Sequence, residues 1–507
     1  MLRMKKSKRC IIDSDKILSE VRTKNDGYWE KIRRQNAIKL FHKVVKEVPA
    51  YSRFLSDHNI VASKIKTWDD FQNIPIVTKA NYLKRNSLDT LCWKGSLSHP
   101  LVFTSTSGST GEPYYFPRFE KIDREYSVLA ELFLSHNKCS LEGPTLVVVC
   151  FGMGVWIGGL ITYQAFEMAS RNNHQPLSII TPGINKAEIQ KILKKLAPNF
   201  KQTILIGYPP FIKDVIDEAV EDGVDLKKLN MRLMFAAEVF TEQFRDYLAE
   251  KTGINNVYLD TLNIYGTADI GAMAWESGIS IVLKRLLSKD EALFEEFFPE
   301  IKRMPTIAQY NPHFITFEEE NGEILLTANS ALPLVRYGVG DHGGVMSFEE
   351  VREKLSRFGY DIYKEAEKVG VPKQFVYQLP FVYVYERNDF STTLYGLQIY
   401  PEVVREVLLR KHIAPFVTGK FTMLTKFDDT HDQYLEINIE LQKNVQVTDT
   451  MHDKILKEIY DNLCAKSSEF SELARYLGNR AYPKIVFWPT EDPTFFKPGI
   501  KQKWVQK

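Results

Sequence analysis

Four times between residues 144 and 240, a short apolar run gives way to a helical pattern. PTLVVVCFG (144–152) leads into a glycine-rich stretch and then a helix, and SIITPG (178–183) precedes an amphipathic segment over 186–196. TILIGYPPF (203–211) and MRLMFAAEVF (231–240) repeat the sequence of events. Unbroken apolar runs of this length suit parallel strands buried on both faces, with the helices as crossovers. The pattern predicts a layered α/β domain of mainly parallel sheets. In such a sheet, ligands gather where the strands end at their carboxyl termini.

The texture changes after residue 300. FITFEEENGEILLTA (314–328) alternates and carries Asn321-Gly322, a strong hairpin signal, so a small antiparallel β region is expected there. From 380 onward strand, turn, strand and helix alternate to the end, which predicts a smaller C-terminal α+β domain. A chain of 507 residues exceeds one ordinary domain.

Composition excludes several classes. The 66 basic and 64 acidic residues nearly cancel to +2, which predicts no bulk attraction to nucleic acid or to an anionic membrane. Five scattered cysteines with no C-x-x-C make neither a disulfide framework nor a metal knuckle. They suit a reducing compartment, and a cytoplasmic location is expected. No apolar stretch approaches the roughly 18–20 residues that span a bilayer. No Walker loop, dinucleotide fingerprint, H-E-x-x-H or G-x-S-x-G is present.

The stretch FTSTSGSTGEPYYFP (103–117) is the main candidate for chemistry. It follows an apolar run and sets Thr106, Ser107, Gly108, Ser109, Thr110 and Gly111 in one loop. Glycines let the backbone come close to a ligand, and N–H groups and short hydroxyls donate to oxygens. Composition alone would equally make a solvated surface loop. The order Ser-Gly-Ser-Thr-Gly-Glu-Pro is what resembles the phosphate loop of the adenylate-forming superfamily, which includes acyl-CoA synthetases and adenylation domains.

Further segments resemble that superfamily in its order along the chain, and the branch they are most similar to is phenylacetate–CoA ligase. VPAYSRF and IPIVTKANYL resemble its N-terminal region. FAAEVFTEQFR (235–245) resembles the adenine-pocket segment, which implies that Ala237 and Glu238 line that pocket. NIYGTADIG (263–271) resembles Asn-x-Tyr-Gly-x-Thr-Glu. Asn263 would then bond the adenine amino group, Tyr265 would pack on the ring, and Gly266 and Thr267 would border the phosphates. Asp269 stands where the superfamily has a Mg²⁺-holding Glu, and Ala268 where it has Thr or Ser.

PLVRYGVGDHGG (333–344) resembles the segment whose Asp, here Asp341, accepts the ribose hydroxyls. ERNDFSTTLYGLQIYP (386–401) resembles the domain junction, with Arg387 on ribose or phosphate, Asp389 as hinge and Gly396 beside the incoming thiol. Thr393 replaces the usual lysine before that glycine. The terminal FFKPGIKQKWVQK resembles the segment carrying the catalytic lysine, and an inserted Ile500 leaves Lys501 or Lys503 for the part, with Lys501 preferred.

The resemblance implies an N-terminal AMP-binding domain over 1–386 and a mobile C-terminal domain over 387–507. It implies an acid–thiol ligase using ATP, Mg²⁺ and coenzyme A, with Lys501, Asp269 and Thr106 in catalysis. The alternatives are transfer to an amine, a hydroxyl or a separate carrier protein, or a nucleotide-binding homologue without turnover. Trp156, Tyr163, Tyr208 and Phe211 would suit an aryl or arylacetic acid, and are equally well read as core. The branch suggests a homodimer.

Overall fold

The computed structural model describes residues 13–98, 101–105, 114–155, 157–173, 176–301, 304–387, 391–496 and 505, the side chains of residues 173, 386 and 387 excepted. Thr106 to Gly111, Trp156, Asp389, Lys501 and Lys503 lie outside these residues, and for Arg387 only the backbone is described.

The four apolar runs form β3 (Thr145–Cys150), β4 (Leu177–Ile180), β5 (Gln202–Gly207) and β6 (Met231–Ala236), which pair in parallel. β7 (Thr261–Thr267) extends the parallel set beside β6. Every residue of β3 and of β5 is buried, as strands covered by helices on both faces must be.

The antiparallel region expected near residue 320 is continuous with this sheet. β8 (Gly271–Trp275), β9 (Thr306–Gln309), β10 (Ile315–Glu320), β11 (Glu323–Ala328), β12 (Leu334–Met346) and β13 (Phe381–Arg387) complete one sheet of eleven strands. Its order is β10-β11-β12-β13-β9-β8-β7-β6-β5-β3-β4. β7 is the switch point, with a parallel neighbour on one side and an antiparallel one on the other. Sequence reading sees the alternation of β10 and β11 but not that β13, some 60 residues later, bridges them to β9.

A hairpin of β1 (Val102–Ser105) and β2 (Tyr115–Arg118) stands apart, pairing Ser105 with Tyr115 at the base of the Ser/Thr/Gly loop. Among the described residues, the strands after β13 pair only with one another. β14 (Thr392–Leu394) and β15 (Leu397–Ile399) make a tight hairpin. β16 (Val417–Phe427), β17 (Gln433–Leu441) and β18 (Lys484–Trp488) make a three-stranded sheet, backed by helices including Asp449–Lys466 and Ser468–Leu477.

The core is continuous across this change of sheet. Phe211, Val215 and Phe235 of the large sheet's layer belong to one buried cluster with Leu394, Tyr395, Phe421 and Phe470 of the C-terminal part. No described helix is long and apolar enough to cross a membrane.

Candidate active site

Where β6 ends, Ala237 takes a left-handed φ of 75°, a conformation that costs a non-glycine residue roughly 1–2 kcal/mol. The turn leaves Ala237 exposed and buries Glu238. On the next strand, Asn263 is buried, and its amide Nδ2 donates to the Glu238 carbonyl at 3.1 Å. Its Oδ1 is buried with no hydrogen-bond partner. A buried acceptor left unpaired costs about 1–3 kcal/mol, so this oxygen is poised for an N–H donor from a ligand.

Tyr265 lies two residues along the same strand and so shares Asn263's face. Its hydroxyl donates to Asp341 Oδ2 at 2.5 Å, although three strands separate β7 from β12 in the sheet. Asp341 is 2% exposed and pairs in register with Arg387 of β13. Four of the expected residues are thus drawn together from stretches far apart in sequence. Gly266 and Thr267, half-buried, finish the strand, and a side chain at Gly266 would collide with the Gly271 carbonyl.

Asp269 follows immediately and is buried. Tyr337 donates its hydroxyl to Oδ2 at 2.6 Å, and the Lys79 ammonium stands 3.3 Å from Oδ1. Lys79 arrives because the segment at Val77 adds to β12. The Val77 N–H bonds the Arg336 carbonyl at 3.1 Å, and the Gly338 N–H bonds Val77's at 2.9 Å. Thr104 of β1 approaches the Ala268 carbonyl at 3.5 Å, so the base of the Ser/Thr/Gly loop sits beside Asp269.

Lys79 was not among the expected site residues. Its signal was the Pro75-x-x-x-Lys79 spacing, which by itself is an ordinary loop-to-turn junction. No cluster of three metal-ligating side chains occurs among the described residues. A single carboxylate of this kind fits a magnesium ion that takes its other ligands from phosphates and water.

The second half of the site comes from the C-terminal part. Tyr395 and Gly396 form the two-residue tip of the β14–β15 hairpin, with φ of 48° and 81°. That is the type I′ conformation, where asparagine or glycine is the usual first residue. Tyr395 is held there from both ends: Gln433 Oε1 accepts its N–H at 2.5 Å, and Arg480 donates to its hydroxyl. The Gly396 N–H donates to the Glu238 carboxylate, whose other oxygen accepts from Gln433 Nε2 at 2.8 Å. A side chain at Gly396 would run into the ring of Tyr208.

Glu238 therefore engages the C-terminal hairpin through its carboxylate, while only its backbone carbonyl faces Asn263. Burial pushes its carboxyl up to about 7, against the pull of the Gly396 and Gln433 donors. Two further ties cross the same boundary. Lys213, 3% exposed, lies 2.8 Å from Asp217 and also meets Asp432. Arg480 stands 3.0 Å from the buried Asp214. These pairs join residues more than 200 positions apart, which no local motif reveals.

Beside the hairpin a narrow cleft is lined by Gly152, Tyr208, Tyr395, Glu469 and Glu472, among others. Burial, and repulsion from Glu472, push the Glu469 carboxyl up to about 7. Of the aromatic residues considered for the acid, Tyr208 and the wholly buried Phe211 both line this cleft, and Tyr163 is exposed.

No family model matches the sequence, and no curated protein sequence matches it. Solved structures do resemble it. 2-Hydroxyisobutyryl-CoA ligase, in complex with 2-HIB-AMP and CoA in the thioesterification state, superposes with a TM-score of 0.64 at 14% identity. The match covers 99% of this chain and 95% of that one. The same enzyme in the postadenylation state with R3-HIB-AMP gives 0.52 at 14% identity over the same shares. With 2-HIB-AMP in that state it gives 0.53 at 14% identity, over 96% and 91%. At such identity the likeness is one of fold.

Proposed function

Proceeding from a chain with the fold of the adenylate-forming enzymes, we infer that it activates a carboxylic acid with ATP and then passes the acyl group to coenzyme A. The observation that carries this reading is the unpaired Asn263 oxygen in line with Tyr265 and Asp341, with Thr104, at the base of the Ser/Thr/Gly loop, beside Asp269. It is the donor–acceptor pattern a purine nucleotide presents, from amino group to ribose to phosphates.

In the first step a substrate carboxylate oxygen attacks the α-phosphorus, and pyrophosphate leaves. Asn263 and Asp341 would fix the two ends of the nucleoside. The amides and hydroxyls of residues 106–111 would bind the departing phosphates, and Lys501 would meet the charge developing on the α-phosphate. A magnesium ion held by Asp269 would offset phosphate charge. Tyr337 would keep that carboxylate oriented.

In the second step the C-terminal part, 387–507, presents Gly396, and the thiol, losing its proton, attacks the acyl carbonyl while the bond to the phosphate oxygen breaks and AMP leaves. A hinge at Asp389 would exchange Lys501 for this face, one pocket thereby serving two reactions. The contacts of Gly396 with Glu238 and Tyr208 support the second arrangement as the one this structure adopts. The resemblance to phenylacetate–CoA ligase favours an aryl or arylacetic acid.

A second reading of the acceptor is an amine. Glu469 and Glu472 line the cleft beside the hairpin with carboxyl groups, which suit an amine that arrives as an ammonium and gives up a proton before attack better than a polyphosphate.

The test is acid-dependent ATP–pyrophosphate exchange over aryl, arylacetic and fatty acids, followed by product analysis with coenzyme A and with a panel of amines. Exchange with some acid is expected, with a thioester as product. No exchange across the panel in protein that still binds ATP would support a homologue without turnover.

A further inference from the structure

We propose that Glu238 and Gln433 form a latch that positions the Gly396 hairpin for acyl transfer, and that this pair acts on the second half-reaction rather than on nucleotide recognition. The inference rests on the two-step reading above.

A two-residue hairpin tip leaves its backbone N–H groups pointing away from its own strands, and buried N–H groups need acceptors. Both at this tip are satisfied by side chains. Gln433 Oε1 takes the Tyr395 N–H, and the Glu238 carboxylate takes that of Gly396. The Gln433 amide closes the circuit by donating to Glu238 at 2.8 Å. Glu238 projects from the end of β6, so the circuit spans the boundary between the large sheet and the C-terminal part.

The sequence bears the marks of a tip held from outside. Tyr395 occupies a left-handed position that a tyrosine does not choose for itself. The Gly396 Cα is so close to Tyr208 that a side chain there is excluded. When the C-terminal part moves away, Gly396 and Gln433 go together and both lose Glu238, so the closed circuit exists only in the arrangement described here. A residue that served adenine alone would not need its carboxylate turned to Gly396.

The experiment measures the two half-reactions separately in the full chain. Gln433→Ala is expected to lower single-turnover acyl transfer from preformed acyl-adenylate at least tenfold, while ATP–pyrophosphate exchange stays within twofold. Glu238→Ala should lower transfer at least as far. Glu238→Gln keeps an acceptor for the Gly396 N–H and should recover most of the transfer. Amide hydrogen exchange over residues 394–397 should accelerate in both alanine variants with no change in the β3 and β5 amides.

The proposal is overturned if exchange and transfer fall together in Gln433→Ala, or if transfer and hairpin protection are unchanged. If the unmodified protein shows no exchange with any acid, the two-step reading fails instead. The hydrogen-exchange comparison then still decides whether the latch exists.

Discussion

Asn263, Tyr265, Asp269 and Asp341 are held by bonds within the eleven-stranded sheet and the segment added to it at Val77. Gly396 is held from across a boundary, by Glu238, Tyr208 and the circuit through Gln433. The first group is built once and stays, because its partners are strand neighbours or buried against the sheet. The second forms only while two parts of the chain are docked. Substitutions in the first group should therefore damage nucleotide chemistry outright, and those in the second should separate one half-reaction from the other.

The largest effect is expected at Asp269. Asp269→Asn keeps the shape but removes the charge that faces Lys79. Exchange should fall by roughly 10²- to 10³-fold, as when one preorganised electrostatic group is lost from a reaction centre. A fall of only a few-fold would mean that the sheet side does not hold the phosphates.

Asn263→Leu comes next. It removes the unpaired oxygen and the bond to the Glu238 carbonyl. The KM for ATP should rise about 10- to 100-fold, the equivalent of about 1.5–3 kcal/mol, and the preference for ATP over GTP should shrink. On the other side of the comparison, Arg480→Ala leaves Asp214 buried without its nearest cation and removes a donor to the Tyr395 hydroxyl. Acyl transfer should drop about tenfold, as expected when a buried ion pair loses one member, and exchange should not change. Equal losses in both assays would erase the distinction between the two sides.

This contrast also explains what the sequence could tell. The parallel strands were legible because β3, β5 and β6 are continuous apolar runs. Asn263, Tyr265 and Asp341 were singled out because each sits in a short ordered motif, and the fold brings Tyr265 and Asp341 into contact. The single eleven-stranded sheet was not legible, since the pairing of β13 with β9 joins strands of similar alternation far apart in sequence. Lys79 was hidden because its role depends on Val77 adding to β12. The turn of Glu238 toward Gly396, and the Lys213–Asp432 and Asp214–Arg480 pairs, depend on docking and leave no periodic or local signature.

A pH profile sharpens the docked side. Glu238 has its carboxyl pushed from an ordinary 4.5 to about 7 by burial in the docked arrangement. If release exposes it, the docked form binds a proton more tightly, so docking takes up a proton. Docking is then strongest below about pH 5, weakens as pH rises toward 7, and is flat above. Of the titratable groups, Tyr208 faces Glu238 directly and its phenol stays neutral throughout, while Glu469 acts on Tyr208 from the far side. The ratio of transfer to exchange should fall severalfold between pH 5 and pH 7. Glu238→Gln should remove most of that slope, the remainder coming from the other carboxyls that burial raises at the boundary, Asp214 and Glu469.

The smallest effect tests the sheet side at its one point of competition. Lys79 is half-exposed and meets the same Asp269 carboxylate that a magnesium ion would use. A pair with one exposed member contributes only about 0.2–1 kcal/mol, so Lys79 should be displaced by the ion at little cost. Lys79→Ala should then lower the magnesium concentration that half-activates exchange by about two- to fivefold, with Asp269 still held by Tyr337. If the lysine instead binds phosphate alongside the metal, the KM for ATP rises and the magnesium requirement does not fall. The direction of that one shift decides whether Lys79 is a placeholder for the ion or its partner.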